Sequence, residues 1–348
     1  MAPMADHKNI IVKMPNWIGD AVMATPILHD LRKRYPDARL TALCQSNIAP
    51  LLDRDPNLTE VISYKKPNGW IHRAEHRDVI EPLQRGEYDL GILLTNSFSS
   101  AWWFYRGKVK ERIGFKKHFR SWLLTEAVPL PHSLETEHLV HTYKRLLLPL
   151  GIPISDTKPK LYLDKEDQEY ARSFFALQQI AKGTTVIGIN PGAAYGSAKC
   201  WPPERFKELA NRLSANPSLC LLFFGDKNSA PMIDEICRSL PPNVLNVANK
   251  TSLRQLMALI ASCSVFLTND SGPMHIASAL EVPLLALFGS TNDVKTGPYN
   301  GGVVLHKHVE CSPCYKRVCP IDFRCMTKIT VDEVYQELIK LITPWPRS

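Results

Sequence analysis

Short apolar runs alternate with amphipathic helical segments along nearly the whole chain, and that alternation excludes most folds. A short apolar run between polar turns reads as a buried strand, and apolar residues at helical spacing read as a helix with one buried face. In the first half, Asn9–Met14, Arg39–Cys44, Glu60–Tyr64 and Asp89–Thr95 have strand character, while Pro26–Tyr35 and Ala74–Leu83 have helical character. The second half repeats the pattern. Strands are expected at Thr185–Asn190, Leu219–Gly225, Leu245–Ala248, from Ser264, and at Pro283–Gly289. Helices are expected at Pro203–Ser214, Ala230–Leu240, Thr251–Ser262 and Val331–Leu341. Such alternation predicts an α/β protein built around parallel sheets.

With 348 residues the chain exceeds one ordinary core, so two domains are expected. Pro149–Leu163 carries three prolines and little periodicity, which suits a linker. The reading is a Rossmann-like domain over 1–155, a second over 156–330, and a closing helix and tail over 331–348. The strand carboxyl ends of both halves are expected to face a common cleft, because ligands of open α/β sheets bind at those ends.

A formal net charge of +8 points to anionic partners: nucleic acid, a phosphorylated substrate or an anionic membrane face. No nucleic-acid motif accompanies the charge, so nucleic acid is not expected as a partner. No apolar run is long enough to span a bilayer. Met1–Lys8 lacks a signal peptide's apolar region, so a cytoplasmic location is expected. Of nine cysteines, five are scattered, several in apolar runs where a free thiol behaves as a small hydrophobe. Cys311, Cys314, Cys319 and Cys325 cluster, and read either as a structural thiolate metal site or as a compact loop of free thiols.

Three junctions carry the candidate chemistry. In Ser264–His275 an apolar run ends in Thr268-Asn269-Asp270-Ser271-Gly272, and Pro273 then opens an apolar helical segment. Helix N-termini present free N–H groups and a positive dipole, which suits a phosphate or diphosphate, although Asp270 or Ser271 is equally read as a simple cap. After the Thr185–Asn190 strand comes a loop of small residues containing Lys199, a point charge for phosphate. After the first strand, Met14–Asp20 places Asp20 at a helix start, where it is either a dipole-stabilised carboxylate or a general base. A helix start lowers a carboxylate pKa, so a base there needs burial, expected against Trp17, to offset it. Arg106–Arg120 is a basic run flanked and interleaved by aromatics, and suits an anionic amphiphile or a headgroup layer. The glycine fingerprint of nicotinamide binding is missing, which disfavours a dehydrogenase.

Asn16-Trp17-Ile18-Gly19-Asp20, Tyr195-Gly196-Ser197-Ala198-Lys199-Cys200-Trp201-Pro202 and Thr268–His275 together resemble the signature segments of the ADP-heptose:lipopolysaccharide heptosyltransferases, glycosyltransferase family 9. The Tyr-Gly-x-Ala-Lys-x-Trp-Pro form is most similar to members that add the second inner-core heptose. Members adding a heptose elsewhere, or a non-catalytic nucleotide-binding module, are the alternatives. The resemblance implies a GT-B fold and an inverting transfer from ADP-heptose that needs no metal or other cofactor. It implies Asp20 as the base that deprotonates the acceptor hydroxyl. Lys199 would contact the donor diphosphate and Asp270 the donor sugar, with Ser271, Gly272 and His275 around the diphosphate. Arg112 and Arg120 would bind acceptor phosphates or carboxylates. The partner implied is a lipid A–Kdo–heptose glycolipid at the cytoplasmic surface of the inner membrane.

Overall fold

The computed structural model describes residues 6–65 and 76–342, and the start of the predicted Ala74–Leu83 helix lies outside them. The chain divides between Tyr162 and Leu163 into two compact units.

The first unit carries β1 (Asn9–Lys13), β2 (Arg39–Gln45), β3 (Glu60–Tyr64), β4 (Leu90–Leu93), β5 (Glu111–Phe115) and β6 (Glu126–Val128). They form one parallel sheet in the order β3-β2-β1-β4-β5-β6, with Val12 of β1 opposite Ala42 on one side and Ile92 on the other. Ile10, Ile11 and Val12 are fully buried, as a central strand covered on both faces must be.

The second unit carries β7 (Thr185–Asn190), β8 (Leu219–Phe223), β9 (Val244–Asn246), β10 (Val265–Asn269), β11 (Leu284–Phe288) and β12 (Val303–His306). Their order, β12-β11-β10-β7-β8-β9, is the first sheet's order read from the other edge. Each half is thus a doubly wound Rossmann sheet whose chain direction reverses beside its first strand, at β1/β4 and at β7/β10. Crevices for ligands open at the carboxyl ends of those strands, and the Asp20, Lys199 and Asp270 segments follow β1, β7 and β10.

Three sequence expectations change. The unit boundary lies later than 155/156, because the linker is tied to the first unit: Ser155 and Thr157 donate to the Asp30 carboxylate at 2.6 and 2.7 Å, and Lys144 Nζ donates to both of their carbonyls. The closing helix Val331–Ile342 is not a separate element, since Val331, Val334 and Leu338 lie in one apolar cluster with Trp201, Phe206 and Leu209. The basic run Arg106–Arg120, expected to meet an anionic amphiphile or headgroup layer, is not exposed throughout. It contains β5, an interior strand between β4 and β6 whose Ile113, Gly114 and Phe115 are buried. Cys44, Cys220 and Cys263 are buried as expected of small hydrophobes, and burial pushes the Cys44 thiol up to about 12. Among the described residues no helix is long and apolar enough to cross a membrane.

Candidate active site

In the second unit two asparagines end neighbouring strands and lock the functional loops to them. Asn190 and Thr268 are register partners, and Asn190 Nδ2 lies within hydrogen-bond distance of Thr268 Oγ1 at 3.3 Å, Ser271 Oγ at 3.2 Å and the Gly192 carbonyl at 2.9 Å. Asn269, fully buried, accepts from the Trp201 backbone N–H at 3.0 Å and donates to the Pro191 carbonyl at 2.6 Å. Both ends of the 191–201 loop are therefore fastened to β10. Trp201 itself packs edge-on against Phe206, with ring centroids 4.9 Å apart, and donates its indole N–H to the Ile329 carbonyl.

That anchoring delivers Lys199 to Asp270. Lys199 Nζ lies 2.5 Å from Asp270 Oδ2, and the same oxygen accepts from Thr291 Oγ1 at 2.6 Å. The two side chains are 14 % and 5 % exposed, so their mutual charge is poorly screened. The Lys199 ammonium also sits 4.9 Å from the Tyr195 ring centroid. Held on two sides, this cation has little conformational freedom left to lose when an anion arrives.

The helix Gly272–Ala279 begins beside this pair. Ser271, its N-cap, is extended and makes no side-chain cap; its hydroxyl is engaged with Asn190 and with Thr268 Oγ1 at 3.0 Å. The first N–H groups of the helix are thus left without the side-chain acceptor that usually satisfies them. Pro273, with no N–H to satisfy, occupies the second helical position rather than the first. Gly272 opens the helix and His275 is buried in it. A fixed cation and uncapped helical donors at adjacent strand ends are chemically suited to an anion.

The cysteine-bearing loop braces the Lys199 loop. Tyr195 Oη donates to the Tyr315 carbonyl at 2.6 Å, and the Ala198 N–H donates to the Arg317 carbonyl at 3.0 Å. Gly196 adopts φ 155°, and a Cβ there would lie 2.3 Å from the Arg317 carbonyl oxygen. Of the four clustered cysteines, Cys311 is exposed, Cys325 buried and the other two half-buried. They are near enough that their mutual repulsion adds to burial in raising the Cys325 pKa. Among the described residues, however, the one group of three or more metal-ligand atoms within 4.8 Å of each other is Asp293, His306 and His308, not these thiols.

In the first unit Asp20 lies in the first turn of the helix Ile18–Met23 and is half-buried. The expected cover by Trp17 is absent, for Trp17 is 54 % exposed. A neighbour that the sequence reading missed is Tyr143, from the helix Leu139–Lys144, whose hydroxyl donates to Asp20 Oδ1 at 3.4 Å. Burial first, and the Asp20 charge second, hold the Tyr143 phenol well above its ordinary pKa, so it remains a proton donor. Lys13, also missed, is buried under the same turn, donating to the Met14 carbonyl at 2.7 Å and to Asn16 Oδ1 at 3.2 Å. Desolvation pulls its pKa down to about 7.

Arg112 and Arg120 lie elsewhere in this unit and turn inward. Arg120 is fully buried and donates to the carbonyls of Phe115, Thr95 and Ser97 and to Asn96 Oδ1. Arg112 donates to the carbonyls of Leu123, Val109 and Lys110. Of the missed residues, only Asn190 and Asn269 carried a local signal, each being a polar residue that ends an apolar run. Tyr143 had none.

The model of the family described as glycosyltransferase family 9 (heptosyltransferase) matches residues 76–323. The chain belongs to glycosyltransferase family 9. It is similar to lipooligosaccharide heptosyltransferase 2 of Haemophilus influenzae, 30 % identical with 87 % of this chain and 89 % of that protein covered. It is likewise similar to lipopolysaccharide heptosyltransferase 2 of Escherichia coli, 31 % identical with 83 % and 85 % covered. Among solved structures, that of E. coli ADP-heptose lps heptosyltransferase II superposes with a TM-score of 0.81 at 28 % identity, covering 96 % of this chain and 98 % of that one. A family 9 glycosyl transferase from Veillonella parvula shares the fold at a TM-score of 0.86 and 24 % identity, with 98 % and 99 % covered. The family 9 protein is thus a GT-B glycosyltransferase, as its two Rossmann sheets and its signature loops led one to expect.

Proposed function

We propose that this family 9 enzyme transfers heptose from ADP-heptose to the first heptose of the lipopolysaccharide inner core, inverting the anomeric centre. The observation that carries the reading is the pairing of a held Lys199 with the uncapped helix start at Ser271–Gly272. Departure of ADP develops negative charge on the diphosphate, and donors already fixed in place stabilise it without reorganising. With such donors the leaving group requires no divalent ion. Asp270 steadies Lys199 and is assigned to the donor sugar's hydroxyls. In the first unit, Asp20 takes the proton of the attacking hydroxyl. Tyr143 donates to that carboxylate and orients it.

Arg112 and Arg120 enter as positioning residues, because their guanidinium groups are engaged with backbone carbonyls. The acceptor's membrane is met by a neighbouring surface. Phe98, Tyr105 and Trp122 are exposed; Trp102 lies between Phe98 and Tyr105, Trp122 contacts both of them, and Phe98 and Trp102 stack at 6.4 Å. Arg106 lies over Trp102, and exposed Lys116 and Lys117 add cations. Aromatics with flanking cations suit an anionic headgroup layer. Supporting the acceptor assignment are the relatives named heptosyltransferase 2. The test is a product assay with ADP-heptose and acceptors carrying no heptose or one heptose. Transfer to the one-heptose acceptor is expected, and transfer only to the heptose-free acceptor would overturn the assignment.

A further inference from the structure

We propose that Asp293, His306 and His308 form a binding site for a divalent transition-metal ion, apart from the groups assigned to sugar transfer. His306 ends β12 and His308 follows two residues later, while Asp293 opens the short helix Asp293–Thr296 after β11. One ligand atom from each lies within 4.8 Å of the others.

The hydrogen bonds around His306 carry the inference. Ser312 Oγ donates its proton to the Gly289 carbonyl, so toward His306 it acts as an acceptor, and Nε2 at 2.9 Å must carry a proton. The lone pair of a neutral ring then sits on Nδ1, which faces Asp293 Oδ1 at 2.9 Å. Two lone pairs at that separation need a cation or a proton between them. The His306 side chain is only 2 % exposed, and the His308 ring lies 4.0 Å away, centroid to centroid. A metal ion satisfies both lone pairs and turns the second imidazole into a ligand. His308 Nε2 is 3.6 Å from the other carboxylate oxygen, Asp293 Oδ2. A tetrahedral ion bound at about 2.0–2.1 Å holds neighbouring ligand atoms roughly 3.3 Å apart, and the two histidine nitrogens lie 2.9 and 3.6 Å from the carboxylate, one against each of its oxygens.

The donor set suits zinc or its neighbours, since imidazole favours those ions over magnesium or calcium. Ser312 supplies the outer hydrogen bond that orients a ligating histidine. His308 is 66 % exposed, which leaves an entry path and room for water as a fourth ligand. The nearby cation of Lys307 is paired with Glu333 and does not repel the ion as a bare charge would. Occupancy would tie β12 to the segment bearing Thr291, the hydroxyl that holds Asp270.

The test strips the full-length protein with a chelator and titrates it with Co2+ while recording its visible and near-ultraviolet absorption. A site built from nitrogen and oxygen gives weak d–d bands without thiolate charge transfer. These bands are expected to survive in the Cys311→Ser/Cys314→Ser protein. His308→Gln alters an exposed ring and leaves the fold intact, and should weaken Co2+ binding roughly tenfold or more. Zn2+ should raise the unfolding midpoint of the unaltered chain and not that of His308→Gln. Co2+ affinity unchanged in both His308→Gln and Asp293→Asn, or binding abolished by the cysteine substitutions, would overturn the proposal.

Discussion

Lys199 and Asp270 follow different strands, β7 and β10, yet meet at 2.5 Å where the two strands end side by side. The pair explains how a loop lysine becomes a fixed cation. Removing the ammonium in Lys199→Ala leaves a nearly buried carboxylate that has lost its cation and keeps the Thr291 hydroxyl as a donor, so stability should fall by about 2 kcal/mol or more. ADP affinity should fall with it, by roughly tenfold or more. Asp270→Asn keeps the lysine and should hold ADP within about threefold while transfer drops roughly tenfold or more. Calorimetric titration with ADP beside a transfer assay separates the two effects.

Tyr143 donates to Asp20, and a hydrogen-bond donor favours the charged form of a carboxylate. Tyr143→Phe removes that donor and leaves Asp20 without it. Loss of a donor disfavours the charged form of a carboxylate, so the acidic limb of the kcat/KM profile should move upward. ADP binding should be unaffected. An unmoved acidic limb would separate Tyr143 from the base.

Gly196→Ala tests the brace behind Lys199. The added methyl meets a backbone oxygen at 2.3 Å, and φ 155° is a conformation that side chains rarely adopt. Neither problem is relieved by a rotamer change, so the loop must shift. About 1–3 kcal/mol of stability should be lost. ADP affinity should weaken although no ligand-contacting group is altered.

Arg120→Ala distinguishes a structural arginine from an acceptor contact. Deleting a buried guanidinium leaves the carbonyls of Thr95, Ser97 and Phe115 short of donors, which should cost about 3 kcal/mol or more in denaturant unfolding. A direct acceptor contact would instead raise the acceptor KM with stability unchanged.

How much was legible follows from where each signal resided. β1, β7 and β10 are apolar runs closed by polar turns, so the strands and the candidate loops after them stood out together. β5 did not, because its Glu111 and Arg112 sit within a basic run that masks the buried Ile113–Phe115 stretch. β12 is half-buried along its length and shows no apolar alternation. The helix Phe98–Arg106 was hidden because its aromatics fall on both its buried and its exposed sides. Asp20 was found from its turn, whereas Tyr143 stands 123 residues away, a contact that only the tertiary fold creates. The burial of Arg120 was not legible, because a cation in a basic run looks solvent-facing, while here the carbonyls it holds come from two separate segments, 95–97 and Phe115.

The most direct measurement compares Asp20→Asn with the unaltered enzyme, following transfer from ADP-heptose to a one-heptose acceptor while ADP binding is titrated in parallel. The account predicts that transfer falls by a factor on the order of a hundred or more while the ADP dissociation constant stays within about threefold. Undiminished transfer by Asp20→Asn would contradict it.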